Sequence, residues 1–113
     1  MLNENITMVA SQTYSCAIYI ASNFDDVRLT LQKMAASVGM CVSIERCGFV
    51  YTGGFEEGVA IRLINYPRFP STPEKIKDMA LKMAKHVMVE TGQGSCSVEC
   101  SDETIFLSRR STD

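Results

Sequence analysis

Tryptophan is absent from this 113-residue chain, histidine occurs once and proline three times. One imidazole excludes every metal or catalytic motif that needs paired histidines. No apolar run approaches the ~20 residues of a bilayer-spanning helix. The polar start MLNEN also lacks the basic segment of a secretory signal. Charge of one sign is missing as well. Eleven Lys and Arg face thirteen Asp and Glu, a formal net charge of −2, so the long-range attraction that a duplex-binding protein relies on is not there. Nucleic acid and membrane are therefore not expected as partners, and the chain reads as cytoplasmic. What is plentiful is apolar mass: 46% hydrophobic and 21% charged residues exclude disorder and suffice for one compact core.

Cysteine is the other abundance. The five thiols, Cys16, Cys41, Cys47, Cys96 and Cys100, form an odd set. Most fall in strand-like stretches, where a free thiol behaves as a small buried hydrophobe and a reducing compartment fits best. Cys41 and Cys47 are six apart and Cys96 and Cys100 four apart, neither being knuckle spacing, so no metal and no cofactor is expected.

The periodicities predict an arm over 1–12, one α+β domain over 13–108 and a basic tail over 109–113. From Thr13, the residues Cys16, Ile18 and Ile20 alternate with Ala17 and Tyr19, a strand with two half-apolar faces that belongs at the centre of its sheet. Ser22 or Asn23 caps a helix whose stripe is Phe24, Val27, Leu31, Met34, Ala35 and Val38, with Gly39 as its left-handed stop. Strand character runs from Met40 to Tyr51, turns at Gly53-Gly54 and returns over Val59 to Asn65. Tyr66-Pro67-Arg68-Phe69-Pro70 is a stiff connector, because two prolines remove ladder donors. Ser71, Thr72, Pro73 and Glu74 then combine a cap, a first-turn proline and a Ser71/Glu74 capping box. The helix that follows buries Ile76, Met79, Ala80, Met83 and Val87, exposes Lys75, Lys77, Lys82 and Lys85 to solvent, and stops near Gly92. Cys96, Val98 and Cys100, a turn at 101–103, and Thr104 to Leu107 close the chain as a hairpin.

This order is β-α-β-β-α-β with one added C-terminal strand, the split βαβ arrangement of ferredoxin-like domains, with two helices on one face of an antiparallel sheet. The other face, with Ala17, Tyr19, Ala60, Arg62, Ile64 and Phe106, has no helix left to cover it, which predicts a homodimer through that face.

No motif announces a reaction. His86 lies at the edge of the second helix's buried stripe without a visible acid or nucleophile. Asp25/Asp26 suit a helix start and Glu56/Glu57 a solvated hairpin. Arg46 to Tyr51 echoes the aromatic strand of RNA-recognition modules, but the net charge opposes it and the motif sits one strand too early. Bulky residues in turns are more informative. Phe55, Tyr66 and Phe69, with Arg46, Arg62, Arg68, Arg109 and Arg110, are the candidate set for a small anionic or aromatic ligand or an interface; no catalytic residue is assigned.

The segment YTGGFEEGVAIRLINYPRFP, Tyr51 to Pro70, with the TPE helix start after it, resembles small accessory proteins of tailed phages and prophages, over the central segment only. The resemblance implies a phage-encoded accessory factor in the host cytoplasm. The resulting expectation is a non-enzymatic, self-associating binding module that engages a host protein or sequesters a small anionic, nucleotide-like ligand. The alternative is a small enzyme acting on a nucleotide or signalling molecule, with His86, Cys47 or Glu57 as participants. A second alternative is a single-stranded RNA-binding module.

Overall fold

The structure, a computed structural model, describes residues 4–110. The elements follow in the order β1 (Ser15–Ile20), α1 (Phe24–Ala35), β2 (Ser43–Tyr51), β3 (Gly54–Ile64), α2 (Pro73–Thr91), β4 (Ser95–Cys100) and β5 (Thr104–Ser108). The strands form one five-stranded antiparallel sheet in the order β2-β3-β1-β4-β5, so the fold is α+β with two helices, and β1 is central as its two half-apolar faces require.

Alternation decides what is buried. Cys16, Ile18 and Ile20 of β1, Val59, Ile61 and Leu63 of β3, and Cys96, Val98 and Cys100 of β4 point to one side. There they meet Val27 and Leu31 of α1 and Ile76, Ala80, Met83, Ala84, Val87 and Met88 of α2. The opposite face is open and mixed. Tyr19 is flanked by Ala60 and Ser97, Ala17 by Arg62 and Glu99, and Phe106 stands opposite Ser97. Tyr19 is 36% exposed, Ile64 39% and Phe106 68%.

Asn23 caps α1, its side chain accepting from the Asp25 and Asp26 backbone amides. The helix stops at Ala35, short of the expected Gly39. The Ala36, Ser37 and Val38 amides bond back to Gln32, Lys33 and Met34 carbonyls, which tightens the last turn. No left-handed glycine is needed there, and among the described residues only Gly53 and Gly92 have positive φ. The α2 cap is Thr72, whose hydroxyl accepts from the Lys75 amide at 3.2 Å, in place of the expected Ser71/Glu74 box. Gly92 ends α2 in the left-handed conformation at φ 71°.

Strand β2 begins at Ser43, opposite Arg62, instead of at Met40. At the end of β3, on its β1 side, the Asn65 amide donates to the Tyr14 carbonyl at 3.0 Å and its carbonyl accepts from the Ser11 hydroxyl at 2.7 Å. The 40–42 segment leaves the ladder, while Met40 and Val42 still pack against the core. Strand β3 starts at Gly54, earlier than Val59, because the hairpin pairs continuously from Tyr51↔Gly54 to Ser43↔Arg62. Its distal part, beyond the Ile20↔Val59 pair, is a two-stranded ribbon without a third strand. The molecule measures 63 × 31 × 29 Å.

Candidate functional site

The departure of residues 40–42 from the sheet opens a cleft of about 790 Å³ between the α1–β2 connection, the end of β3, the proline connector and α2. Its floor is apolar: Met40, Val42, Leu63, Ile76 and Met79. One wall is the aromatic pair Tyr66 and Phe69, with ring centroids 5.6 Å apart and planes tilted by 45°. The pair exists because the connector makes a tight turn there, the Phe69 amide donating to the Tyr66 carbonyl at 3.0 Å. The Cys41 thiol beside it and partial burial both push the Tyr66 hydroxyl above its usual range, so this phenol stays protonated.

The other wall is a face of α2. Lys75, Asp78, Met79 and Lys82 follow the three- and four-residue spacing that puts side chains in one row. Lys82 Nζ lies 3.0 Å from Asp78 Oδ2. Asn65 fixes how the walls meet. Its Nδ2 donates to the Gln12 carbonyl at 2.7 Å and its Oδ1 accepts from the Ser71 amide at 2.9 Å, which ties the arm, the end of β3 and the approach to α2 to one buried residue. An apolar floor with an aromatic wall and a few charged groups is the usual makeup of a small-molecule site.

The eight residues singled out from the sequence do not converge. Tyr66 and Phe69 meet at the cleft wall, but Arg68 between them does not line it. Arg46 lies over the Phe24 ring at 4.3 Å, a contact between β2 and the start of α1. Arg62 is on the open sheet face, Phe55 is 59% exposed on the ribbon, and the Arg109 amide donates to the Gly94 carbonyl at 2.8 Å. None of His86, Cys47 and Glu57 lines the cleft. What the sequence did not disclose is the charged row on α2. Lys75 and Lys82 lie on the face taken as solvated, and their spacing from Asp78 is the only signal of the row.

A second constellation lies at the other side of the start of α2. The buried Tyr14 hydroxyl donates to Asp102 Oδ1 at 2.9 Å, and the Lys77 ammonium meets Asp102 at 3.0 Å and also Glu103. Burial first, then the Asp102 contact, raises the Tyr14 phenol far above its ordinary value. The Lys77 ammonium and the Tyr14 hydroxyl hold the Asp102 carboxyl below its own. This clasp joins α2 to the β4–β5 turn, and each of its polar groups is satisfied within it.

The five cysteines do not form one cluster. Cys16 stands directly opposite Cys100 with sulfurs 2.8 Å apart, both free and buried, while Cys41 is exposed and Cys96 is buried opposite Leu107. No group of three or more potential metal ligands occurs among the described residues. No helix there is long and apolar enough to cross a membrane.

No protein-family model and no curated protein matches the sequence. Solved structures do match the fold. A phage SAM lyase in its apo state superposes with a TM-score of 0.70 at 18% identity, covering 100% of both chains. A phage SAM lyase in complex with S-methyl-5'-thioadenosine superposes at 0.71 and 16% identity, covering 93% of this chain and 96% of the other. The phage resemblance is thus supported, and it extends along the whole chain beyond the segment Tyr51 to Pro70. The same neighbours overturn the expected non-enzymatic binding module: they are enzymes, one holding a nucleoside, which backs the alternative of a small enzyme acting on a nucleotide-like molecule.

Proposed function

We propose that this chain is a small lyase that cleaves S-adenosylmethionine (SAM) and releases S-methyl-5'-thioadenosine, with the cleft between the proline connector and α2 as its active site. The observation that carries the reading is the full-length likeness to phage SAM lyases with and without the nucleoside. The makeup of the cleft supports it. Tyr66 and Phe69 offer a face for a purine and for a sulfonium cation, and the apolar floor suits the thioether part.

The chemistry accounts for a site without a histidine or a carboxylate pair. Methylthioadenosine keeps the methyl, the sulfur and the adenosine of SAM, so the bond that breaks joins sulfur to the amino-acid side chain. The electron pair goes to sulfur, and the sulfonium leaves as a neutral thioether that requires no proton. If the substrate's own carboxylate forms the new C–O bond, the step balances with no proton transfer, and the enzyme's task is to hold the chain folded and water out. Elimination would instead demand a base. Asp78 is the one carboxylate among the lining residues and is paired to Lys82, which favours internal displacement. Incubation with SAM, followed by chromatography for methylthioadenosine and proton NMR of the four-carbon remainder, tests both points. A cyclic ester is expected, and vinyl proton signals from the isomeric unsaturated amino acid would assign elimination.

Two finer assignments belong with this reading. We propose that the sheet is a ferredoxin-like split βαβ with β5 added at its edge, supported by β3 lying between β1 and β2 and by β1 lying between β3 and β4. We also propose that copies associate through the open sheet face, supported by the exposed Tyr19 and Phe106 on it, and that the enzyme works in the cytoplasm of a phage-infected cell.

A further inference from the structure

The cleft is chemically two-ended. Tyr66 and Phe69 form its aromatic end, and Lys75, Asp78 and Lys82 form its charged end along a single face of α2, with Met79 between them. The charged end carries two ammonium groups and one carboxylate. Lys82 and Asp78 are paired at 3.0 Å yet remain 68% and 63% exposed, so an incoming ligand can reach both. Lys75, one turn earlier, makes no ion pair among the described residues. Two cations around one anion complement an α-amino acid, whose carboxylate seeks the lysines and whose ammonium seeks the aspartate.

We propose that Lys75, Asp78 and Lys82 are the subsite for the zwitterionic amino-acid end of a sulfonium nucleoside, and that they make the cleft distinguish substrate from nucleoside product. The inference rests on the lyase reading for the identity of the ligand. Its logic is differential contact. The substrate reaches both ends of the cleft, but the nucleoside product has neither carboxylate nor ammonium and keeps only the aromatic end. Cleavage therefore removes the handle by which α2 holds the ligand, and the product is left weakly bound. Exposed ion pairs are individually modest, so two of them give a preference of about tenfold. That preference is enough to bias product release without holding the substrate too tightly to turn over.

The test uses two ligands that the reaction does not consume: S-adenosylhomocysteine, which has the amino-acid end but no sulfonium, and methylthioadenosine, which has neither. Their affinities are measured by calorimetry for the unmodified protein and for Lys75→Met/Lys82→Met. Both lysines are exposed and methionine is a good helix former, so the variant should fold. S-adenosylhomocysteine is expected to bind the unmodified protein about tenfold tighter than methylthioadenosine, and the variant is expected to lose that preference with methylthioadenosine affinity unchanged. A preference that survives in the variant, or an equal loss for both ligands, overturns the subsite while SAM cleavage by the unmodified protein would still uphold the lyase reading. Loss of the preference in a protein that releases no methylthioadenosine from SAM sinks the lyase reading and leaves the subsite standing. Absence of binding of either ligand overturns both.

Discussion

Asn65 is the one polar residue buried among the described positions, and its side chain bonds to backbone on both sides of it in sequence, at Gln12 and Ser71. Replacing it by alanine leaves the Gln12 carbonyl and the Ser71 amide without their partner in a part-buried setting. Asn65→Ala is expected to lower stability by about 2 kcal/mol, read as a shift in denaturant midpoint with unchanged slope. Its place between β3 and the proline connector was plain in the sequence, but nothing in a lone Asn says that three segments will close around it. The cysteines were more legible. Their strand alternation implied burial, and burial pushes the Cys16 thiol up to about 12, with the Cys100 contact adding to it, and the Cys96 thiol up to about 11. A thiol-reactive disulfide reagent at pH 8 should therefore modify Cys41 first and leave Cys16 and Cys96 untouched until the protein unfolds. Methylthioadenosine should slow the Cys41 reaction, since this thiol lines the cleft.

At the scale of elements, the hairpin and the clasp make contrasting demands. A Cβ on Gly58 would meet the Ile20 carbonyl oxygen at 2.6 Å and collide with the Phe49 ring, and a backbone atom inside the sheet cannot yield. On Gly48 it would meet only the Phe55 ring, at 2.7 Å, and that exposed ring can swing away. Gly58→Ala is thus expected to cost about 3 kcal/mol and Gly48→Ala less than about 1 kcal/mol, compared by thermal unfolding. The clasp between α2 and the β4–β5 turn predicts a pH effect. Because the folded protein holds the Asp102 carboxyl below its unfolded value of 3.8, the stabilisation is present above that value and is lost as pH falls through the lower folded one. Lys77→Met should flatten this acid limb of a melting-temperature profile. An unchanged profile would show that the ammonium is not the cause. Element types and order could be read from alternation and caps, because local chemistry governs them. The ends of α1 and β2 could not, because tertiary packing sets them: the last turn of α1 tightens before Gly39, and residues 40–42 leave the ladder while Met40 and Val42 pack against the core.

For the whole molecule, composition spoke to the core and was silent on the reaction. Without convergent acids, bases and nucleophiles the sequence reads as a binder, because such groups serve reactions that need proton transfer, whereas the proposed sulfonium substrate carries its own leaving group. Tyr66 and Phe69 stand out in the sequence by their place in a turn, but their partner row on α2 reads as an ordinary wet helix face until the fold brings the connector beside it. Self-association is checked by light scattering, where a mass of at least about 25 kDa is expected for chains of 12.5 kDa and Tyr19→Glu should reduce it. A monomer at tens of micromolar would remove the open sheet face from the account. The most direct test of the central claim is the rate of methylthioadenosine release from SAM by the unmodified protein, by Tyr66→Ala/Phe69→Ala, and by His86→Ala as a control outside the cleft, each confirmed to be folded. Release by the unmodified protein, a loss of about 100-fold or more in the cleft variant and an unchanged rate in the control are predicted. No release at all, or equal rates for the cleft variant and the control, would contradict the account.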